Sequence, residues 1–160
     1  MSKNFRFAFH GPNSLSVVLR KGLKAYAVGS APNGAVMSVQ LFVADESVVI
    51  VRSVQTTLNV GEWEEIDTLE FKHLSAPERV LAVLPLPEAW LEIRCTEKLI
   101  FATDGFSAEC GISLSNQIGD ELIIAAGAFP GALALRAPFL NTEFEPQYDV
   151  LACRREDLSI

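Results

Sequence analysis

Histidine is scarce in this 160-residue chain, with only His10 and His73 present. A Ser-His-Asp triad or a zinc site would have to be assembled around one of them from partners distant in sequence. Cysteine is equally sparse: Cys95, Cys110 and Cys153 are an odd number at wide spacing, with no C-x-x-C and no adjacent His. That excludes a disulfide framework and the usual zinc spacings, and it predicts small buried thiols. No G-x-x-x-x-G-K-[ST], G-x-G-x-x-G, H-E-x-x-H or G-x-S-x-G occurs, so no cofactor is expected. The nearest approach, Gly111-Ile112-Ser113-Leu114-Ser115, lacks the second Gly. It also lies in an alternating stretch, where a nucleophile elbow needs a sharp turn.

Long apolar helices are missing too. Ala25 to Ala44 is uncharged for twenty residues but is broken by Pro32-Asn33-Gly34, and the uncharged run from Leu122 to Leu135 is fourteen residues long and split by Pro130-Gly131. Neither suits a spanning helix. The first twenty residues lack the apolar stretch of a secretory signal, so a cytoplasmic location without membrane contact is expected. There is no repeat, low-complexity tract or polar linker, which predicts a single domain over residues 1–160.

Positive charge is in deficit: 13 Lys and Arg face 20 Asp and Glu, for a net charge of −7. An acidic field argues against nucleic acid and anionic membrane as partners. The charges are also segregated. Residues 1–44 hold five bases and no acid, and all 20 acids follow from Asp45 onward. Arg20, Lys21 and Lys24 are therefore expected either to pack beside acidic strands or to meet them on a second copy.

What the chain does have is a period of two, which places alternate side chains on one face of a strand. Phe5, Phe7 and Phe9 alternate with Arg6, Ala8 and His10. Phe106, Ala108, Cys110, Ile112 and Leu114 alternate with polar or small residues, and Trp90 to Glu97 alternates as well. Asn33-Gly34 is predicted to join strands near 23–31 and 35–43, and Asp104-Gly105 to join 98–103 to 106–114, both through type I′ turns. Further turns are expected at 45–47, 59–61, 116–120 and 129–131, with strand between 47 and 60 and a last strand near 148–154. Ser75-Ala76-Pro77-Glu78 reads as a capping box opening a short helix near 76–84. The expected fold is all-β, a predominantly antiparallel sandwich or barrel with that one helix, and α+β is the alternative.

The most acidic window is Glu62-Trp63-Glu64-Glu65-Ile66-Asp67-Thr68-Leu69-Glu70-Phe71-Lys72-His73. If extended, it places Trp63, Glu65, Asp67, Leu69, Phe71 and His73 on one face and Glu62, Glu64 and Glu70 on the other. It predicts a partner-binding surface of Glu62, Trp63, Glu64, Glu65, Asp67 and Glu70, with Trp63 as apolar anchor and the carboxylates steering a basic protein. An inhibitor or immunity-type role would suit that field. A weaker expectation makes His73 or His10, with nearby carboxylates, a ligand, metal or acid-base site in a barrel. A third is a homo-oligomeric structural component paired through strand edges. The acidic stretch 143–149 reads first as a loop crossing the sandwich and second as a docking motif.

Overall fold

The turns organise the chain into hairpins as the sequence predicts, although their geometry differs. The structure is a computed structural model. It describes residues 3–61, 63–77 and 82–158, without the side chains of Val60, Trp63 and Glu64. Strands β3 (Leu23–Ser30) and β4 (Val36–Val43) meet at Pro32-Asn33-Gly34. Gly34 N donates to Ala31 O and Ala31 N to Ala35 O, both at 2.8 Å, with Gly34 at φ 88°. Asn33 keeps a negative φ, so this is a type I turn followed by a left-handed glycine, not the type I′ turn expected. Pro32 accounts for the difference, because its ring fixes φ near −65° at the second turn position. Asp104 also lacks the positive φ of a type I′ turn between β8 (Ile93–Ala102) and β9 (Phe106–Asn116). There the Thr103 hydroxyl accepts from Gly105 N at 3.3 Å.

Two six-stranded sheets form a β-sandwich. One sheet runs β11 (Leu133–Arg136), β10 (Glu121–Ala126), β9, β8, β12 (Arg154–Asp157), with β1 (Lys3–Phe5) beside β9. The other runs β2 (Ala8–His10), β6 (Trp63–Leu74), β5 (Val48–Val60), β4, β3, β7 (Val83–Pro85). Pairing is antiparallel except for β1 on β9 and β2 on β6. The Phe5-Phe7-Phe9 alternation is therefore not one strand. Residues 3–5 join the first sheet and 8–10 the second, and the chain crosses between them at Arg6 and Phe7. At that crossing Phe7 N has no ladder partner and donates to Glu109 Oε1 at 2.8 Å.

Leu41, Val49, Leu69, Phe71, Ile112, Leu114 and Ile124 fill the space between the sheets. The cavity left among Tyr26, Leu41, Leu122 and Phe139 holds about 10 Å³, at the lower limit for a single water. A second apolar cluster lies on the far face of the first sheet, where Phe106, Ala108, Cys110, Leu99 and Ile123 are covered by Tyr148 and Val150. The alternation from Phe106 to Leu114 serves both clusters because β9 carries a bulge. Leu99 pairs with Gly111 and Ile100 with Glu109, which leaves Cys110 as the extra residue. One extra residue inverts which side chains face which way. Gly111 at the bulge admits no larger residue easily, since a Cβ would lie 3.0 Å from Ile124 O.

The short helix is α1 (Leu15–Arg20), which buries Leu15, Val18 and Leu19 at helical spacing. The helix expected near 76–84 falls partly outside the described residues, and the described residues on either side of the gap are not helical. Residues 78–81 lie outside the described residues, and Val83–Pro85 is strand, with Leu84 opposite Tyr26 on β3. An open edge on β3 provides a ladder that the local capping pattern does not anticipate. Two other segments are also corrected. Glu88–Leu91 is a 3₁₀ turn that buries Trp90 and exposes Leu91, and Val150–Ala152 is another, so the last strand starts at Arg154 and not near 148. Asp149 opens the second turn by accepting from Leu151 N at 3.0 Å, the capping chemistry that makes Asp a strand breaker.

Candidate functional site: an open sheet edge

The acidic window does not assemble into one surface. Its inward face carries Leu69 and Phe71 into the core, and Asp67 goes with them, leaving it 1% exposed. Asp67 Oδ2 accepts from Ser53 Oγ and from Gly131 N, each at 2.9 Å, and Asp67 N donates to Gln147 Oε1 at 2.9 Å. Asp67 is thus a buried anchor rather than a surface acid, because its face of β6 turns toward the opposite sheet. Glu65, further along that face, is exposed and accepts from Gln55 Nε2 at 2.7 Å. Glu70 points the other way and lies 3.5 Å from His10 Nε2 on β2. Trp63 and Glu64 lie in β6, and Glu62 lies outside the described residues.

Among the described side chains, His10 meets Glu70 alone of these acids, and His73 does not converge with Asp67. Six residues of extended strand, about 20 Å, separate Asp67 from His73. Both ring nitrogens of His73 are shielded from solvent without a hydrogen-bond partner. Among the described residues no three His, Cys, Asp or Glu side chains gather as a metal site. The basic N-terminal residues are partly neutralised within the chain, but by the β4–β5 turn and not by the acidic window. Lys21 Nζ reaches Asp45 at 3.0 Å and Lys24 Nζ reaches Glu46 at 2.5 Å. Hydrogen bonds from Ser47, with Lys21 beside them, hold the Asp45 carboxyl well below the usual range.

What Asp67 anchors is the more informative feature. The Phe129-Pro130-Gly131 turn joins β10 to β11, with Gly131 at φ 76°, and Gly127 N donates to Ala132 O at 2.8 Å. Antiparallel ladders alternate. From Gly127 opposite Ala132, the bonded pairs continue as Ala125 with Ala134 and Ile123 with Arg136. The N–H and C=O groups of Leu133 and Leu135 therefore point away from β10, on the side where the sheet ends.

That edge borders a groove of about 400 Å³, lined by Ala132 to Leu135, by Val36 at the β3–β4 hairpin, and by Phe129, Glu143 and Glu145. Its acidic wall is fixed in place. Ala128 N donates to Glu145 O at 2.9 Å, Gln147 N donates to Ala126 O at 2.8 Å, and the Arg136 guanidinium sits 5.1 Å over the Phe144 ring. Phe129 at the mouth is 63% exposed, more than its apolar surface favours in water.

A second groove of about 310 Å³ is polar and internally compensated. Lys98 meets Glu109 at 2.6 Å and Arg154 meets Glu156 at 2.7 Å, and neither groove is lined by His10 or His73. The sequence singles out neither Leu133 nor Leu135 as a site, and it reads the stretch 143–149, which Glu143 opens, as a docking motif only after a loop. The available signal was that Leu133-Ala134-Leu135 carries no charge or proline, but its edge position follows only from topology. No family model, curated protein or solved structure matches the chain.

Proposed function

We propose that this protein is a non-enzymatic binding domain that presents an acidic surface to a basic protein partner, and that the partner docks an extended segment along the open edge of β11. The observation that carries this reading is the contrast among the strands that end the two sheet orders. The β12 edge consists of Arg154, Arg155, Glu156 and Asp157, all exposed. The β7 edge is three residues ending in Pro85, and the β2 edge is three residues long. Charge, proline and shortness are the usual means of keeping an edge from pairing with another chain. The β11 edge has Leu133, Ala134 and Leu135 and opens onto a groove.

An added strand takes its affinity from main-chain hydrogen bonds and its specificity from alternate side-chain pockets. Here the apolar pocket is made by Val36 and Phe129. Glu143 and Glu145 beside it favour Lys or Arg at neighbouring positions of the incoming segment. Glu65, exposed on the β5–β6 hairpin, adds to the same acidic field.

The test is affinity capture from the native host lysate at low and high salt, comparing wild type with three variants. Leu135→Pro removes the outward N–H without breaking a bond to β10, whereas Leu135→Ala carries the same loss of side-chain packing and keeps the N–H. The paired variant Glu143→Lys/Glu145→Lys reverses the charged wall. A basic protein retained by wild type and Leu135→Ala, and lost with Leu135→Pro and with charge reversal, is expected. Equal capture by all four proteins would refute edge docking.

A further inference from the structure

Cys110 and Cys153 are 43 residues apart in sequence, and their sulfur atoms face each other at 3.8 Å. They come from elements that the fold brings together independently. Cys110 is the extra residue of the β9 bulge, left out of the β8–β9 register, and a bulge commonly re-aims a side chain. Cys153 ends the 3₁₀ turn Val150–Ala152, which lies over the outer apolar cluster. We propose that these two thiols are an oxidisable site that closes to a reversible intramolecular disulfide, fastening the C-terminal segment onto the central strand of the first sheet.

The roles of the two sulfurs differ. Cys110 is 2% exposed, and its Sγ also lies 3.6 Å from Leu99 O. Cys153 is half-buried and reaches solvent. The hydrogen bond between the two pulls the Cys153 thiol below its usual pKa and, together with burial, pushes Cys110 upward. Cys153 is therefore the attacking thiolate and Cys110 the resolving thiol.

With hydrogen peroxide as oxidant, the Cys153 thiolate attacks one peroxide oxygen. An S–O bond forms, the O–O bond breaks, and the departing hydroxide takes up the proton Cys153 gave to solvent, forming water. Cys110 sulfur then attacks Cys153 sulfur. The S–S bond forms, the S–O bond breaks, and the oxygen leaves as a second water with the Cys110 proton. Two thiols lose two electrons and one peroxide gains them. Closing the gap to a bond of ~2.05 Å needs a movement of under about 1 Å by each sulfur. The third thiol, Cys95, lies four residues from Leu99 along β8, about 13 Å away, and has no part in this.

The experiment treats the purified full chain with a small excess of hydrogen peroxide, blocks remaining thiols with iodoacetamide, and combines thiol titration, peptide mass mapping and thermal unfolding. Free thiols should fall from three to one. The mapped link should join Cys110 to Cys153, dithiothreitol should reverse it, and the melting temperature should rise by roughly 10 °C for a loop of this length. Cys153→Ser should keep its remaining two thiols free and show no thermal shift. The proposal is overturned by three surviving thiols, by a link through Cys95 or between two chains, or by Cys153 ending as a sulfinic acid beside a free Cys110.

Discussion

A buried and a half-buried carboxylate show how a residue's role depends on what its strand faces. Glu109 is 7% exposed, accepts from Phe7 N at 2.8 Å and holds Lys98 Nζ at 2.6 Å. It ties the sheet crossing of the N-terminal segment to β9. Glu109→Ala is expected to reduce stability by about 3–5 kcal/mol, because it leaves a buried N–H and an uncompensated ammonium. Urea unfolding measures this, and a loss below about 1 kcal/mol would show that the crossing is held by other contacts. Glu121 belongs to a polar ladder across the first sheet. It accepts from Arg155 and from Ser113, each at 2.6 Å, and lies 3.8 Å from Arg136. Burial pushes its carboxyl up, but the bonds from Arg155 and Ser113 outweigh that and hold it below its ordinary value of 4.5. A depressed folded pKa stabilises above the unfolded value and loses that contribution as pH falls through the folded one. Glu121→Gln should therefore be less stable than wild type at pH 7, and the gap should close as pH drops below 4.5. An unchanged gap across the acid limb would contradict the ladder. Neither role was legible in the sequence. Asp67 and Glu65 sit two residues apart on one face of β6, yet one is an anchor and the other a surface acid, and composition does not distinguish them.

At the scale of elements, the sequence identified what local chemistry dictates and missed what a neighbour decides. The turns at Asn33-Gly34 and Asp104-Gly105 follow from turn residues, and β5 follows from a β-branched stretch that reads as one long strand or two short ones. Helix α1 leaves its signal in Leu15, Val18 and Leu19 at helical spacing after Ser14, but six residues are too few for that period to stand out in the sequence. The β9 bulge is invisible in an unbroken alternation, since the inversion of faces comes from register with β8. It nevertheless gives a sharp expectation: Ile112, fully buried between the sheets, should not tolerate Ile112→Asp. An unpaired carboxylate there is expected to reduce stability by more than about 4 kcal/mol and leave little folded protein. A soluble variant with wild-type thermal unfolding would mean that Ile112 does not face the core. In β7, Val83 and Leu84 at the end of the stretch expected as helix pair with an available sheet edge instead.

For the whole molecule, fold class and candidate site were legible to different degrees. Two packed sheets are the sandwich form of the sandwich or barrel that alternation and turn spacing imply. The site was less accessible to sequence reasoning. Net charge pointed to a basic partner, but the acidic window that suggested where is split between the core and two faces of β6. The open edge of β11 emerges only once the order of strands is known. Its outward N–H groups have a direct physical signature in amide hydrogen exchange resolved by NMR, first on the free protein and then with the captured partner. The N–H groups of Leu133 and Leu135 point away from β10, whereas those of Ala134 and Arg136 are bonded to it. Edge docking predicts fast exchange at 133 and 135 and slow exchange at 134 and 136 in the free protein, with strong protection of 133 and 135 on binding. Slow exchange at 133 and 135 without a partner, or fast exchange there in the complex, would contradict it.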